Sequence, residues 1–80
     1  MYFVYILKST KTKELYKGLT NNLERRIKEH NKDRAAGTRG KGFWKLVYYE
    51  KFNTLEKARI RERYFKSGIG REKLKNLIPL

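Results

Sequence analysis

The uninterrupted apolar run at the front of the chain, Tyr2-Phe3-Val4-Tyr5-Ile6-Leu7, constrains the fold more than any other feature. Residues of these β-branched and aromatic types favour a strand, and a strand with no polar face must be covered on both sides. It is therefore the expected central strand. After a polar turn carrying Ser9, Thr10 and Thr12, Glu14 to Leu19 alternates and forms the second arm of a hairpin. Tyr16 and Gly18 share one face of that arm and Lys17 takes the other. Asn21 with Glu24 reads as a helix cap and capping box, and Leu23, Ile27 and His30 set the buried face of the helix that follows. From Asn31 to Gly42 the pattern breaks into a glycine-punctuated loop bearing Lys32, Arg34, Arg39 and Lys41. Phe43 to Glu50 resumes strand character. Asn53 with Glu56 repeats the capping pattern for a second helix, which Gly68 and Gly70 should stop near Ser67, and Arg71 to Leu77 predicts a short basic helix. The expected architecture is a small α/β (α+β) sandwich in the order ββαβαα, a three-stranded mainly antiparallel sheet flanked by helices, with residues 1–80 as a single domain.

Charge limits the partners. The 21 Lys and Arg outnumber the 8 Asp and Glu by 13 on an 80-residue chain. A field of that sign and density attracts polyanions, so nucleic acid is the expected ligand class. Such charge can also keep a chain unfolded, but 20 Leu, Ile, Val and Phe and 11 aromatics supply enough apolar surface for a core. The absence of cysteine excludes a disulfide framework, a thiolate nucleophile and a cysteine-based zinc site. The longest apolar run is far short of the roughly 20 residues of a membrane span, and no basic segment precedes it as in a signal peptide. The expectation is a soluble cytoplasmic protein without a membrane partner or a small-molecule substrate.

Four sets of residues stand out chemically. On the second helix Leu55, Ala58, Glu62 and Phe65 fall on one stripe, which places a carboxylate among apolar neighbours. Such a group needs a cation, either a basic side chain in a buried ion pair or a metal ion, and the spacing leaves both open. Arg26 and His30 lie one turn apart on the first helix and can present two proton donors to one anion, although a lone His there also reads as a satisfied boundary residue. Tyr5 and Tyr16 come from neighbouring strands and can share a sheet face, where the plainer reading is a pair of core tyrosines. Arg34, Arg39 and Lys41 are placed to meet backbone phosphates, because chain freedom and charge favour these over base edges.

Taken in order, Tyr2 to Ser9, Tyr16-Lys17-Gly18-Leu19-Thr20, Leu23 to Arg26, Glu29-His30-Asn31 and Trp44 to Glu50, followed by Glu62, the chain resembles the small single-domain members of the GIY-YIG nuclease superfamily. The signature triplets are Phe3-Val4-Tyr5 and Tyr16-Lys17-Gly18, with lysine where the second triplet usually has an apolar residue. The resemblance implies a metal-dependent DNA endonuclease, guided by DNA structure or weakly by sequence, in DNA repair or processing. The alternative is a non-catalytic module that holds DNA or RNA on the same basic surface.

By that resemblance Glu62 would hold a Mg²⁺ or Mn²⁺ ion, Tyr5 would help deprotonate the attacking water, and Tyr16 would position it. The reverse assignment of the two tyrosines is also consistent with the pattern. Arg26 would neutralise charge on the phosphoryl oxygens, and His30 would orient a tyrosine or shuttle a proton. Gly18 would let the nucleic-acid backbone come close, and Lys17 with the loop cations would bind it. Asn76 is the nearest counterpart of a family asparagine late in the domain.

Overall fold

The computed structural model describes residues 1–32 and 40–78. Three strands, β1 (Tyr2–Ser9), β2 (Leu15–Thr20) and β3 (Trp44–Phe52), alternate with three helices, α1 (Leu23–Asn31), α2 (Leu55–Lys66) and α3 (Gly68–Leu77), in the order ββαβαα. The sheet runs β2-β1-β3 with both pairings antiparallel, so the apolar first strand is central as its sequence requires.

Alternation along β1 divides the interior. Val4 and Ile6 pack with Ala58, Phe65, Leu74 and Ile78 beneath α2 and α3. Tyr5 and Leu7 pack with Trp44, Tyr16, Leu23 and Ile27 beneath α1. Burying each of the large apolar side chains contributes about 1.5–3 kcal/mol, and both halves of the core depend on one strand. A β-bulge at Val47, between the pairs Ile6↔Tyr48 and Leu7↔Leu46, adds a residue to β3 and keeps Tyr48 and Glu50 on the α2 side.

The helix starts fall one residue later than expected. Asn22, not Asn21, caps α1 by accepting from the Arg25 N–H, and Thr54, not Asn53, caps α2 by accepting from the Lys57 N–H. Glu24 and Glu56 are then one position short of closing capping boxes, and they remain acidic side chains in the first turn, where the helix dipole favours them. Asn22 gains the role because Thr20 holds it on both sides, its hydroxyl donating to Asn22 O and accepting from Asn22 N.

α2 ends before Ser67 as expected, but the glycines that follow open α3, which begins at Gly68 and not at Arg71. Ser67 ends α2 and caps α3, accepting from the Gly70 N–H. A Cβ at Gly70 would overlap the Tyr64 carbonyl and the Phe65 backbone. The glycine therefore permits a close approach of α3 to α2, and its ability to break helices is not used.

Candidate active site

Tyr5, Tyr16, Arg26 and His30 converge between α1 and edge strand β2. Gly18 is the cross-strand partner of Tyr5, and a Cβ placed on it would overlap the Tyr5 ring and hydroxyl. The missing side chain is thus filled from within by the phenol, and this, rather than the approach of a nucleic-acid backbone, is what the structure shows for Gly18. Tyr5 O–H reaches His30 Nε2 at 2.9 Å, donating to it in the tautomer that carries the ring proton on Nδ1. Tyr16 meets His30 edge-on at 4.7 Å between ring centroids and lies 6.4 Å from Tyr5. Trp44 closes the far side of Tyr16 at 6.3 Å. His30 is fully buried, so the plainer expectation of a boundary histidine gives way to a core one bonded to a tyrosine.

The electrostatics set the protonation states. Burial pushes the Tyr5 hydroxyl up to about 12; hydrogen bonding from Arg26 pulls it back only in part, and the charges of Tyr16 and Glu62 push it further up. Burial, helped by the Arg26 charge, holds His30 below the usual imidazole value, with Glu29 opposing. At neutral pH the pair is a phenol bonded to a neutral imidazole. Arg26 is half-buried and pairs with Glu29 at 3.1 Å, and hydrogen bonding to Tyr5 first, then to Glu29, pushes its already high guanidinium value further up. Arg25 points elsewhere, exposed and near Asn21.

Glu62 comes from α2, which packs on the opposite sheet face, and lies close enough for its charge to act on Tyr5. The buried ion pair, one of the two alternatives open for Glu62, is formed instead by Glu50. Arg61 grips both Glu50 oxygens, Nε at 2.9 Å and Nη2 at 3.1 Å, and the Tyr48 hydroxyl adds a third hydrogen bond. Burial alone would raise the Glu50 carboxyl, but Arg61 and Tyr48 outweigh it and hold it below its ordinary value. Among the described residues Glu62 makes one long contact, to Lys66 at 3.6 Å, with its side chain 22% exposed. Among the described residues no three His, Cys, Asp or Glu form a metal cage. One weakly engaged carboxylate is what this chain would offer a divalent ion, and water and substrate phosphate oxygens would have to complete its coordination.

The other expected residues lie apart from this centre. Lys17 points to the α2–α3 side, as alternation requires, where Lys66 and Arg71 act on it. Lys41 pairs with Glu14 at 2.6 Å. Arg34 and Arg39 lie outside the described residues. Asn76 is exposed in the last turn of α3. Sequence reasoning missed the Glu50–Arg61 pair, although alternation places Glu50 on the apolar face of β3 and so demands a cation. It also missed Asn31, whose side-chain amide donates to Trp44 O at 3.0 Å while its oxygen accepts from Trp44 N at 2.7 Å, and no sequence period marks that clamp.

The fold and this arrangement together define a nuclease-family domain: the chain belongs to the GIY-YIG family, whose catalytic-domain model matches residues 1–75. It is similar to UPF0213 protein CPE1444 of Clostridium perfringens, 51% identical over 75 residues that cover 92% of this chain and 80% of that protein. UPF0213 protein OB0043 of Oceanobacillus iheyensis is 39% identical over 75 residues, 92% of this chain and 86% of that one. The solution NMR structure of UPF0213 protein BH0048 from Bacillus halodurans aligns with a TM-score of 0.58 at 37% identity, covering 96% of this chain and 85% of that one. Nucleases of this family act on nucleic acid and typically use a divalent metal ion. No helix among the described residues is long and apolar enough to cross a membrane.

Replacing Gly18 with alanine is expected to push the Tyr5 hydroxyl away from His30 and to destabilise the fold by about 1–3 kcal/mol, the usual cost of overpacking. Thermal melting checks the stability. A Tm equal to the parent's would show that the phenol has room to move.

Proposed function

We propose that the chain acts as a single-domain, metal-dependent DNA endonuclease, a cytoplasmic protein working in DNA repair or processing, with Mg²⁺ or Mn²⁺ bound by Glu62. The observation that carries this reading is the hydrogen bond from Tyr5 to a buried neutral His30. A phenol with a pKa of about 12 is ionised in only about one molecule in 10⁵ at pH 7, so Tyr5 cannot serve as a free phenolate base. It can act as a relay. As the attacking water gives a proton to the phenol oxygen, the phenol proton passes to His30 Nε2, leaving Tyr5 neutral and His30 cationic.

Tyr16 packs on the imidazole and holds its plane. The water oxygen bonds to phosphorus, the bond from phosphorus to the leaving sugar oxygen breaks, and the Arg26 guanidinium neutralises charge gathering on the non-bridging oxygens. Glu62 would hold the divalent ion, which when bound would supply positive charge toward the departing oxygen. Among the described residues no element is dedicated to reading a groove, which supports selection by DNA structure over sequence.

The test is nicking of plasmid and branched DNA with Mg²⁺ or Mn²⁺ and with EDTA as the control. Metal-dependent nicking supports the reading. Binding without nicking in either metal would leave the non-catalytic module. Acid should switch the activity off. His30, faced by Tyr5, Tyr16, Arg26 and Glu29, has a folded pKa below the unfolded value of about 6.5. It is therefore neutral and able to accept a proton at pH 7, and becomes occupied as pH falls through the lowered value. The same shift removes stability below about pH 6.5, since the unfolded chain then binds the extra proton. The nicking rate, measured with the melting temperature at each pH, should be flat near neutrality and fall on the acid side while the protein is still folded. A rate unchanged well below the histidine range would exclude the relay.

A further inference from the structure

We propose that Lys17, Lys66 and Arg71 form a phosphate-binding site beside Glu62, taking the phosphodiester backbone of the nucleic acid next to the bond that is cut. The proposal rests on the nuclease reading for the identity of the ligand, but its geometry is independent of the chemistry at Tyr5 and His30.

The three cations come from three elements. Lys17 pairs across the sheet with Ile6, on the face where Ile6 packs with Phe65 of α2. Lys66 follows Phe65 at the end of α2, and Arg71 lies in the first half of α3, just beyond the Ser67 cap the two helices share. The tight contact at Gly70 holds α3 against α2 and so keeps Arg71 on this side of the sheet.

Charge at this place is uncompensated. Among the described residues neither Lys17 nor Arg71 forms an ion pair, and Lys66 has only its 3.6 Å contact to Glu62. Lys17 is half-buried, and burial first, then the charges of Arg71 and Lys66, push its ammonium below the ordinary lysine value. A strand position flanked by core residues and two like charges is where an apolar side chain would be most stable. A cation there is compensated when a polyanion lies across it. The location suits the phosphodiester backbone, because Lys66 contacts the carboxylate proposed to hold the metal and Lys17 lies on edge strand β2 next to Gly18, the cross-strand partner of Tyr5. A backbone crossing that edge would meet Arg26 on one face and the three cations on the other. It would also draw Lys66 from Glu62 and leave the carboxylate free.

The experiment measures binding of a labelled duplex two helical turns long, as DNA and as RNA of the same sequence, by fluorescence anisotropy in EDTA between about 50 and 200 mM salt. The parent is compared with K17Q/R71Q and with K51Q/K57Q, which removes the same charge from β3 and the start of α2. For K17Q/R71Q, affinity at 0.1 M salt should fall roughly eightfold for each phosphate that is no longer neutralised, and the salt slope should decrease by about 0.9 for each such phosphate. The control should change far less. The melting temperature of free K17Q/R71Q should equal or exceed the parent's, because a repulsive half-buried charge has gone; a purely structural role predicts a decrease. If the glutamine pair melts lower, Lys17→Ile with Arg71→Gln repeats the measurement with an apolar residue at the strand position.

Weaker binding to DNA, to RNA or to both supports the site and identifies its ligand. Equal losses of affinity for K17Q/R71Q and K51Q/K57Q on both duplexes would overturn it. A parent that fails to nick with either metal would remove the nuclease reading and leave this result standing, whereas a parent that nicks, with K17Q/R71Q binding like the parent, would remove only this proposal.

Discussion

Glu62→Ala is expected to abolish nicking while nucleic-acid affinity stays equal or rises. The substitution removes the carboxylate proposed to hold the ion, worth several kcal/mol of charge stabilisation in the transition state, or about a thousandfold or more in rate. It also removes one negative charge beside Lys66, the cation of the cluster that Glu62 contacts, and so relieves repulsion of the phosphate backbone. The fold should barely respond, since the Lys66–Glu62 contact is long and helical pairs of this kind contribute about 0.3–0.5 kcal/mol. Cleavage by Glu62→Ala at the parent's rate in saturating Mg²⁺ would show that the ion is held elsewhere. Glu50→Ala makes the contrast. It strips Arg61 of both its carboxylate hydrogen bonds and should appear first as a lower melting temperature.

Arg26→Ala should reduce the rate by about 10²–10³, or about 2.7–4 kcal/mol, the range seen when one donor to a developing oxyanion is removed. Arg25→Ala should cost far less, because adjacent helical residues diverge by about 100° and only Arg26 acts on the Tyr5 phenol. The measurement is single-turnover nicking at saturating protein, which separates a slower chemical step from weaker binding. Similar losses for the two variants would mean that the arginines form a general phosphate patch.

Much of this architecture was legible because β1 admits only one placement. A strand with Val4, Tyr5, Ile6 and Leu7 all buried must be covered on both faces, and the alternation of β2 then puts Tyr16 beside Tyr5 and turns Lys17 away. The helical spacing of Arg26 and His30 brought them to one side for the same reason. What escaped were relationships set by distances across the fold. Asn22 displaced Asn21 as a cap because Thr20, outside the helix, holds its backbone. The reason for Gly18 lay on another strand, in the ring of Tyr5. Gly68 and Gly70 read locally as the end of a helix, and α2 does end there, but the packing of α3 against Tyr64 and Phe65 makes the same residues the start of the next one. The stripe on α2 marked a carboxylate in need of a cation, but the strongest pair formed one residue away, between Arg61 and the strand residue Glu50.

The two hydrogen bonds between the Asn31 side chain and the Trp44 backbone tie together the ends of the connection from α1 to β3. Closing a chain between fixed ends costs only about 0.6 kcal/mol more for each doubling of its length. Extra residues inserted between these two ends are therefore expected to leave His30 and the edge-on contact of Tyr16 with Trp44 in place. That makes the connection the natural place in this small domain to vary length, or to splice in a second binding unit, while the Tyr5–His30 pair stays as it is.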